Sequence, residues 1–359
     1  MGIFYQKMKK ILITGITGQD GSLMADYLLN NFQNIEVYGS HRRLSVPNHS
    51  NIQHLKSNSR FKVVEMDMTD PENINNVFAE ILPDYFINFA ANSFVGNSWK
   101  MPINHMQTNA MAVLYCLETI KNIKPDTKFY NAGSSEQFGD VDYSPQDLKH
   151  PFKPRSPYGV SKCTAHHLVK VYRESYNLYA VQGILFNHEG VRRGEEFVTR
   201  KVTKNVARIA NAIKYDYKYE PLELGNIYSK RDWSDAEDFV KGVWLMLNQE
   251  KPKDYVLASN ETHTVKEFIE LSFKFAGIEG KWKGEGVNEK FVLSKYKTEK
   301  FFYEDEPVLM TINPEFYRPA EVDLLWGDSS EAEKNLGWRR ETSFERLVEK
   351  MTLNDLDNP

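Results

Sequence analysis

The first half of the chain alternates short apolar segments with amphipathic segments of helical period. The apolar segments predict strands at Lys10–Thr14, Glu36–Gly39, Lys62–Glu65, Tyr85–Phe89, Lys128–Asn131 and Ala180–Leu185. The amphipathic segments predict helices at Ser22–Asn30, Pro71–Ile81, Asn104–Lys121 and Tyr158–Tyr176, the second of them opened by Asp70 as N-cap. Strands that alternate with crossover helices are typical of an α/β fold, so we expect a doubly wound parallel sheet of the Rossmann type.

The alternation ends after Asn187, where polar, aromatic and charged segments follow. Helical patterns return at Ser234–Asn248, Val265–Ala276 and Ser343–Met351. Residues 281–316 have no clear period, which predicts either a long loop or lid over a cleft or an irregular surface insertion. We therefore expect a Rossmann-type domain at 8–187 and a smaller C-terminal α/β substrate lobe, mainly at 188–359, with some segments returning to the first domain.

Composition narrows the classes of function. A formal net charge of -4 over 359 residues provides no general basic surface, which argues against nucleic acid as a partner. The two cysteines, Cys116 and Cys163, lie in predicted helices outside any metal-binding motif, which indicates a reducing compartment and no metal site. No apolar run reaches the ~18 residues that a membrane span needs, and no signal peptide is recognisable. We expect a cytoplasmic protein with no membrane partner.

Three glycines stand where the first strand ends and the first helix begins. Gly15, Gly18 and Gly21 would allow a tight turn and a close approach of the backbone to a pyrophosphate at the helix N-terminus. Their spacing is G-x-x-G-x-x-G and not G-x-G-x-x-G, so a plain glycine turn is the alternative.

The end of the second predicted strand indicates which dinucleotide would bind. An acidic residue that could accept the ribose 2′-hydroxyl of NAD is missing there, and the sequence is instead Gly39-Ser-His-Arg42-Arg43. Guanidinium groups match phosphate geometry, so NADP is favoured, with a solvated basic loop as the alternative. Asp67, after the third strand, could accept from the adenine amine or could cap a loop.

Tyr158 and Lys162 are four residues apart on a predicted helix and therefore share one face. We expect the lysine charge to lower the pKa of the phenol, which would suit Tyr158 to take the proton of a substrate hydroxyl as hydride leaves. The same spacing also occurs on exposed helices. Ser134, after the preceding strand, could reach the same substrate oxygen.

Glu136 changes this interpretation, because a simple alcohol dehydrogenase needs no carboxylate beside its Ser, Tyr and Lys. A carboxylate can remove the proton next to a newly formed ketone. Glu136 therefore predicts a dehydratase, and a surface glutamate at a strand end is the alternative.

The chain resembles the extended short-chain dehydrogenase/reductase superfamily and, within it, the GDP-mannose 4,6-dehydratase family. The resemblance runs nearly end to end. The segments that carry it are Gly15-Ile-Thr-Gly-Gln-Asp-Gly-Ser22, Ala90-Ala-Asn-Ser93, Pro154-Arg-Ser-Pro-Tyr158, Gly183-Ile-Leu-Phe-Asn187-His-Glu189, Arg192-Arg-Gly194, Phe197-Val-Thr-Arg-Lys201, Lys230-Arg-Asp-Trp233 and Tyr317-Arg-Pro-Ala-Glu-Val-Asp323.

The resemblance implies a catalytic set of Ser134, Glu136, Tyr158 and Lys162, with Ser where the family usually has Thr. It implies a tightly bound, recycled NADP, with contacts at Gly15, Thr17, Gly18, Gln19, Asp20, Gly21, Arg42, Arg43, Asp67, Met68, Phe89, Ala90, Ala91, Ser93, Tyr158, Lys162, His188 and Arg193. It implies a GDP-sugar substrate, with contacts at Ser93, Ser134, Glu136, Asn187, Thr199, Lys201, Arg231, Arg318 and Glu321. Lys201, Arg231 and Arg318 can neutralise a diphosphate, and Glu321 could accept from an amino-bearing base.

Two departures from the family leave the sugar open. Val191 stands where the family usually has Pro, and residues 281–316 look longer than usual. GDP-mannose and GDP-D-glycero-D-manno-heptose are both candidate substrates for conversion to a 4-keto-6-deoxy product. The competing functions are a 4-epimerase or dehydrogenase of the same superfamily and a non-catalytic NADP-binding protein. The resemblance also implies a homo-oligomer, either a dimer or a tetramer.

Overall fold

The computed structural model describes residues 8–46, 48–296, 306–317 and 324–358. Its strands are β1 (Lys9–Thr14), β2 (Ile35–His41), β3 (Phe61–Glu65), β4 (Tyr85–Asn88), β5 (Lys128–Ala132), β6 (Ala180–Leu185), β7 (Asn187–Glu189), β8 (Leu222–Leu224), β9 (Lys230–Arg231), β10 (Trp233–Asp235), β11 (Tyr255–Leu257), β12 (His263–Thr264), β13 (Ile278–Lys283), β14 (Lys290–Tyr296), β15 (Val308–Ile312) and β16 (Leu324–Leu325). Its α-helices are α1 (Gln19–Asn31), α2 (Pro71–Ile81), α3 (Pro102–Met106), α4 (Ala112–Ile123), α5 (Pro157–Tyr176), α6 (Val198–Lys214), α7 (Ala236–Leu247), α8 (Val265–Phe275), α9 (Ser330–Leu336) and α10 (Phe344–Asp357).

The central sheet is parallel throughout and has the strand order β11-β6-β5-β4-β1-β2-β3. The order reverses next to β1, which is the topological switch point where ligands bind in doubly wound folds. The predicted fold class is confirmed. The six predicted strands are all present, and β11 was not predicted because a three-residue strand carries too little period to stand out.

Both faces of this sheet are covered by helices. Helices α1, α7 and α9 share one apolar core with the sheet, and α2, α4 and α5 share another on the opposite face. Phe86 and Phe129 lie fully buried on neighbouring strands, with an edge-to-face ring contact of 5.4 Å between centroids. Burial of a side chain of this size stabilises the fold by roughly 2–3 kcal/mol, so the two cores hold the carboxyl edge of the sheet rigid.

Local signals set both ends of α2 where they were expected, whereas α1 begins three residues before the predicted Ser22. The Asp70 carboxylate accepts from the backbone N–H groups of Glu72 and Asn73, and Pro71 occupies the first turn of α2. The helix predicted at Asn104–Lys121 is interrupted, because a π-helical turn at Gln107–Met111 separates α3 from α4. Such π-turns insert one extra residue and frequently occur near functional sites.

The C-terminal part of the chain forms a second lobe. Helices α6, α8 and α10 pack on a mixed sheet of order β13-β14-β15-β8. Helix α6 was not predicted, although Val202, Val206, Ile209 and Ile213 form a buried stripe of helical period along it. Its many basic and polar side chains concealed that stripe.

The expectation of a loop, lid or irregular insertion over residues 281–316 was wrong for the described part of that segment. Strands β13 and β14 form an antiparallel hairpin, and β14 pairs with β15. Residues 297–305 lie outside the described part of the chain. These strands were not predicted because neither shows a clear alternation of apolar and polar residues. Gly280 interrupts the alternation along β13, and a register shift after Phe291 interrupts it along β14.

The described segments that return to the first domain are α7, β11 and α9, which pack against the seven-stranded sheet. We propose the domain division at residues 187 and 188 with this return. Within the described residues, none of the helices combines the length and apolar character that crossing a membrane requires.

Candidate active site

A deep cleft opens at the carboxyl edge of the central sheet and reaches the second lobe. Its volume is about 1550 Å³, larger than the roughly 300–1000 Å³ typical of a site for one small ligand, so two ligands can lie side by side. Of the predicted cofactor contacts, the cleft is lined by Gly15, Thr17, Gly18, Gln19, Asp20, Gly21, Arg42, Asp67, Met68, Phe89, Ala90, Ala91, Ser93, Tyr158, Lys162, His188 and Arg193. Of the predicted substrate contacts, it is lined by Ser93, Ser134, Glu136, Asn187, Lys201 and Arg231.

The glycine turn after β1 is built as a cradle. Gly15 has a φ of +68°, and a Cβ there would lie 3.0 Å from the backbone nitrogen of Ala90. A Cβ on Gly21 would overlap the carbonyl oxygen of Gly15, so α1 can pack this closely only with glycine. Gly18 caps α1 without a side-chain hydrogen bond, which leaves the first amides of the helix for an anion. This geometry fits a dinucleotide pyrophosphate better than a plain turn.

The basic segment after β2 contributes one arginine to the cleft. Arg42 is exposed and lines the cleft, whereas Arg43 is exposed and lies outside the lining. Asp67 lines the cleft too, but its Oδ1 accepts from the backbone N–H of Thr69 at 2.9 Å and from the Thr69 hydroxyl at 2.7 Å. That contact is the loop cap considered as an alternative.

The four residues of the predicted catalytic set meet in the cleft. Lys162 Nζ donates to the carbonyl oxygen of Ala132 at 2.8 Å and lies 5.8 Å from the centre of the Tyr158 ring. The Ser134 side chain is hydrogen-bonded to Tyr158, and its Oγ accepts from the backbone N–H of Glu136 at 3.2 Å. The capping hydroxyl of Ser134 therefore connects the phenol to the turn that carries the carboxylate.

The pKa of Tyr158 differs from the expectation. Burial raises it to about 12, the hydrogen bond from Ser134 lowers it in part, and the charge of Glu136 raises it further. Burial lowers the pKa of Lys162 to about 8, against the opposing charge of Asp20. The net shift of the Tyr158 pKa is therefore upward, opposite to the expectation, because desolvation of the phenol outweighs the groups that lower its pKa.

A partly buried ion pair, His188 with Asp20, also lines the cleft. His188 Nε2 is 2.8 Å from Asp20 Oδ2, and His188 Nδ1 is 2.9 Å from the carbonyl oxygen of Phe186. Burial disfavours the charged imidazole, but the Asp20 carboxylate overcomes it and raises the pKa of His188. Burial likewise opposes ionisation of Asp20, yet the charges of His188 and Arg193 lower its pKa. Since both ring nitrogens face acceptors, His188 is built to carry a positive charge in the cleft.

Glu189 organises the segment after β7. Its Oε2 is 3.0 Å from Nε of Arg193 and accepts from the Thr199 hydroxyl at 2.5 Å. The Arg193 guanidinium carbon lies 3.6 Å from the centre of the Phe197 ring. Thr199, predicted to contact substrate, does not line the cleft, because its buried hydroxyl is turned toward Glu189.

The far end of the cleft belongs to the second lobe. Arg231 is 8% exposed and donates to the carbonyl oxygen of Lys230 at 2.9 Å. Lys201 Nζ lies 4.2 Å from the centre of the Phe316 ring, and burial lowers its pKa despite the nearby charge of Glu223. Arg231 and Lys201, both predicted to neutralise a diphosphate, thus line the same cleft. The predicted contacts Arg318 and Glu321 lie outside the described residues.

The sequence of this chain matches the model of one protein family, described as GDP-mannose 4,6 dehydratase, over residues 12–351. The chain belongs to this family. A GDP-mannose 4,6 dehydratase of Drosophila melanogaster is 42% identical over 97% of this chain and 86% of its own length. A GDP-mannose 4,6-dehydratase of Vibrio cholerae serotype O1 is 41% identical over 97% of this chain and 94% of its own length.

Solved structures agree with this membership at the level of the fold. A dTDP-glucose 4,6-dehydratase from Bacillus anthracis in complex with NAD superposes with a TM-score of 0.77 at 19% identity, covering 98% of this chain and 97% of that one. The structure of RMD from Pseudomonas aeruginosa complexed with NADPH superposes with a TM-score of 0.75 at 19% identity, covering 98% of this chain and 100% of that one. At this identity the likeness shows the shared doubly wound architecture.

Two groups in the cleft of this GDP-mannose 4,6-dehydratase family member were not predicted as site residues. Glu189 is a buried carboxylate, and its position four residues before Arg193 is the pattern that could have indicated an ion pair. Asn51 donates through Nδ2 to the carbonyl oxygen of Thr17 at 2.9 Å and so supports the glycine turn. No local sequence signal points to Asn51, because this contact joins segments 34 residues apart.

Proposed function

We propose that this protein is a GDP-sugar 4,6-dehydratase that converts a GDP-manno-sugar, GDP-mannose or GDP-D-glycero-D-manno-heptose, to the 4-keto-6-deoxy product. The observation that carries the proposal is the position of Glu136. Its carboxylate group belongs to the same turn as Ser134, lines the same cleft as Tyr158 and acts electrostatically on the phenol. A dehydrogenase or 4-epimerase would need only the Ser, Tyr and Lys of this set.

The proposed cofactor is a tightly bound NADP. The glycine turn and the start of α1 would hold its pyrophosphate, and Arg42 would pair with its 2′-phosphate. When bound, the nicotinamide supplies the redox chemistry by accepting hydride from C4 of the sugar and returning it to C6. The positive His188 would face the nicotinamide end of the cleft.

The residues of the chain handle the protons. Tyr158 Oη, hydrogen-bonded to Ser134, would take the proton of the C4 hydroxyl, and the Lys162 ammonium would stabilise the phenolate. The ketone at C4 then acidifies the hydrogen on C5. Glu136 would remove that proton, the C6 hydroxyl would leave as water after gaining a proton, and C5 would finally be reprotonated. The balance is the loss of one water with no net oxidation.

The nucleotide part would lie toward the second lobe. Arg231 and Lys201 would neutralise the diphosphate, and the aromatic ring of Phe316 beside Lys201 would offer a surface for the base. Contacts from Arg318 and Glu321 remain predictions. A homo-oligomeric assembly, dimer or tetramer, is likewise part of the proposal.

The test is mass spectrometry of the products after purified protein is incubated with GDP-mannose and, separately, with GDP-D-glycero-D-manno-heptose. We expect loss of one water from one or both substrates, one solvent deuterium at C5 when the reaction runs in heavy water, and no need for added redox equivalents. A product of unchanged mass would support a 4-epimerase. Stoichiometric consumption of external cofactor would support a dehydrogenase.

A Glu136→Gln variant tests the assigned role directly. We expect dehydration to fall by about 10²–10⁴-fold, because the amide cannot accept the C5 proton, while oxidation at C4 continues and appears as nicotinamide reduction in a single turnover. Glu174→Gln, an exposed change on α5, is the matched control and should leave turnover unchanged. Undiminished dehydration in Glu136→Gln would remove Glu136 from the mechanism.

A further inference from the structure

One rung of the central sheet is polar on four neighbouring strands. Thr14 of β1, Asn88 of β4, Asn131 of β5 and Gln182 of β6 stand in register with one another. Each is at most 3% exposed. Thr14 and Asn88 are the last residues of β1 and β4, Asn131 is the last but one of β5, and Gln182 lies three residues before the end of β6.

Polar residues are unexpected at this position. Two residues earlier on the same strands and the same face, the corresponding row is Leu12, Phe86, Phe129 and Ala180, all fully buried. Interior strands of a parallel sheet are normally apolar on both faces. Burying an amide without hydrogen-bond partners costs free energy, so we expect the polar side chains of this rung to be hydrogen-bonded.

The side chains of the rung form a continuous series of hydrogen bonds. Thr14 Oγ1 donates to Asn88 Oδ1 at 2.6 Å, and Asn88 Nδ2 donates to Asn131 Oδ1 at 2.9 Å. Asn131 Nδ2 donates to Gln182 Oε1 at 2.8 Å, and Gln182 Nε2 donates to Gln137 Oε1 at 3.0 Å. Every donor points the same way along the series, which we name the amide ladder.

The two ends of the amide ladder lie at the two halves of the site. At one end Thr14 Oγ1 accepts from the backbone N–H of Ala90 at 3.0 Å, beside the glycine turn. At the other end Gln137 Oε1 accepts from the backbone N–H of Ser134 at 2.9 Å. Gln137 and Ser134 form a capping box, so this second contact sets the backbone from which the Ser134 hydroxyl projects.

Gly133 provides an independent sign that this end of the ladder is fixed. A Cβ at Gly133 would lie 2.8 Å from Gln182 Nε2 and 2.9 Å from Gln137 Oε1. The turn before Ser134 is therefore packed directly on the amide pair, and any side chain at 133 would displace it.

We propose that Gln137 is a positioning residue for Ser134, held in place by the amide ladder, which sets the catalytic turn in a fixed relation to the cofactor turn. The inference rests on the proposed function for its kinetic consequence, but its structural content is the hydrogen bond from Ser134 N to Gln137 Oε1. Gln137 acts through Ser134 and does not line the cleft.

A pair of substitutions at Gln137 separates the acceptor from the bulk of the side chain. Gln137→Met keeps the length but withdraws the acceptor from both Ser134 N and Gln182 Nε2. Gln137→Glu keeps an acceptor for both of these donors. It removes only the donor group Nε2, which makes no hydrogen bond within the described residues. Should Gln137→Met fail to fold, Gln137→Asn withdraws the same acceptor by one methylene while remaining polar.

Gln146→Met is the matched control for general destabilisation. Gln146 is equally buried, accepts from the backbone N–H of Trp326 at 3.0 Å and donates to the Ser144 hydroxyl at 2.7 Å, but it lies outside the cleft. The Gln146→Met variant should lose stability as Gln137→Met does, but the kcat of its folded protein should not change.

The kinetic test is a double-mutant cycle between Gln137 and Ser134. We expect Gln137→Met to lower kcat by about 10- to 100-fold with little change in KM for the GDP-sugar. Gln137→Glu should retain most of the wild-type kcat. In a Ser134→Ala background Gln137→Met should lower kcat by less than about twofold, because the residue it positions is gone. If the double mutant instead lost kcat by the product of the two single-mutant factors, the proposal would be overturned.

Hydrogen–deuterium exchange of the Ser134 amide gives a readout that needs no activity. The amide should be protected in the wild type, in Gln137→Glu and in Gln146→Met, and should exchange at least tenfold faster in Gln137→Met. A protected Ser134 amide in Gln137→Met would overturn the proposal. If the wild type dehydrates no GDP-sugar, the proposed function fails, whereas the exchange experiment still decides whether Gln137 positions Ser134.

Discussion

The buried ammonium of Lys162, a member of the proposed catalytic set, lowers the stability of the folded chain at neutral pH. It is 4% exposed and pairs with a backbone carbonyl, that of Ala132, and burial lowers its pKa to about 8. A lowered lysine pKa means that the folded state favours the neutral amine. The contribution of this group to stability is therefore full above the ordinary value of 10.5 and is lost as the pH falls through about 8.

Lys162→Met should consequently stabilise cofactor-free protein at neutral pH while it removes activity. At pH 7 we expect the free energy of unfolding to rise by about 1–3 kcal/mol, less than the full linkage value because the carbonyl of Ala132 loses its donor. The gain should shrink as the pH rises from about 8 toward 10.5. Urea unfolding of both proteins across this range measures the difference.

The control for Lys162→Met is Lys170→Met, an exposed lysine on the same helix. Its effect on the free energy of unfolding should be small and independent of pH. If Lys162→Met destabilised the protein equally at every pH, burial of the ammonium would not be what lowers the free energy of unfolding of the wild type.

At the scale of elements, the hairpin of β13 and β14 is the clearest revision of the expectation. Phe291 is buried beneath it, with ring centroids 5.4 Å from Phe273 and 4.8 Å from Trp282. Gly280 lies against the Phe291 ring so closely that a side chain would overlap it. The hairpin therefore belongs to the core of the second lobe and does not cover the cleft as a free lid.

Phe291→Ala tests this placement. Removal of a buried aromatic ring should lower the free energy of unfolding by about 3–5 kcal/mol, through lost burial and the cavity that remains. Val287→Ala, on the 53% exposed Val287 between the two strands, should change it by less than about 0.5 kcal/mol. Equal, small effects in chemical denaturation would mean that the segment is a surface loop.

At the scale of the whole molecule, the cleft joins groups from both lobes. Arg42 follows β2 of the central sheet, whereas Arg231 lies on β9 beside the second lobe. Two ligands that bind at these separate ends should stabilise the protein independently. A ligand at 100 times its Kd contributes about 2.7 kcal/mol, which thermal unfolding detects easily.

Two variants should divide the ligand effects between the lobes. Arg42→Met should reduce the stabilisation by NADP by about 1.4 kcal/mol, which is a tenfold loss of affinity, and leave the stabilisation by NAD and by GDP unchanged. Arg231→Met should reduce the stabilisation by GDP and leave the stabilisation by NADP unchanged. A loss of NADP and NAD binding together in Arg42→Met would argue against recognition of the 2′-phosphate.

Local physics made much of this protein predictable from its sequence. The strand and helix periods, the Asp70 cap and the glycine turn all depend on residues within a few positions of one another. The spacing of Tyr158 and Lys162 placed both on one helix face for the same reason. These signals were sufficient for the fold class and for bringing the predicted catalytic set to one cleft.

Only the tertiary structure decided what depends on distant segments. The pKa of Tyr158 reflects burial between layers, and the amide ladder begins with a contact between residues 74 positions apart. The pair of His188 and Asp20 spans 168 positions. Desolvation and hydrogen bonding act through space, so the sequence by itself determined the fold class and most of the predicted residues that line the cleft, and the fold determined their charge, their orientation and the support behind Ser134.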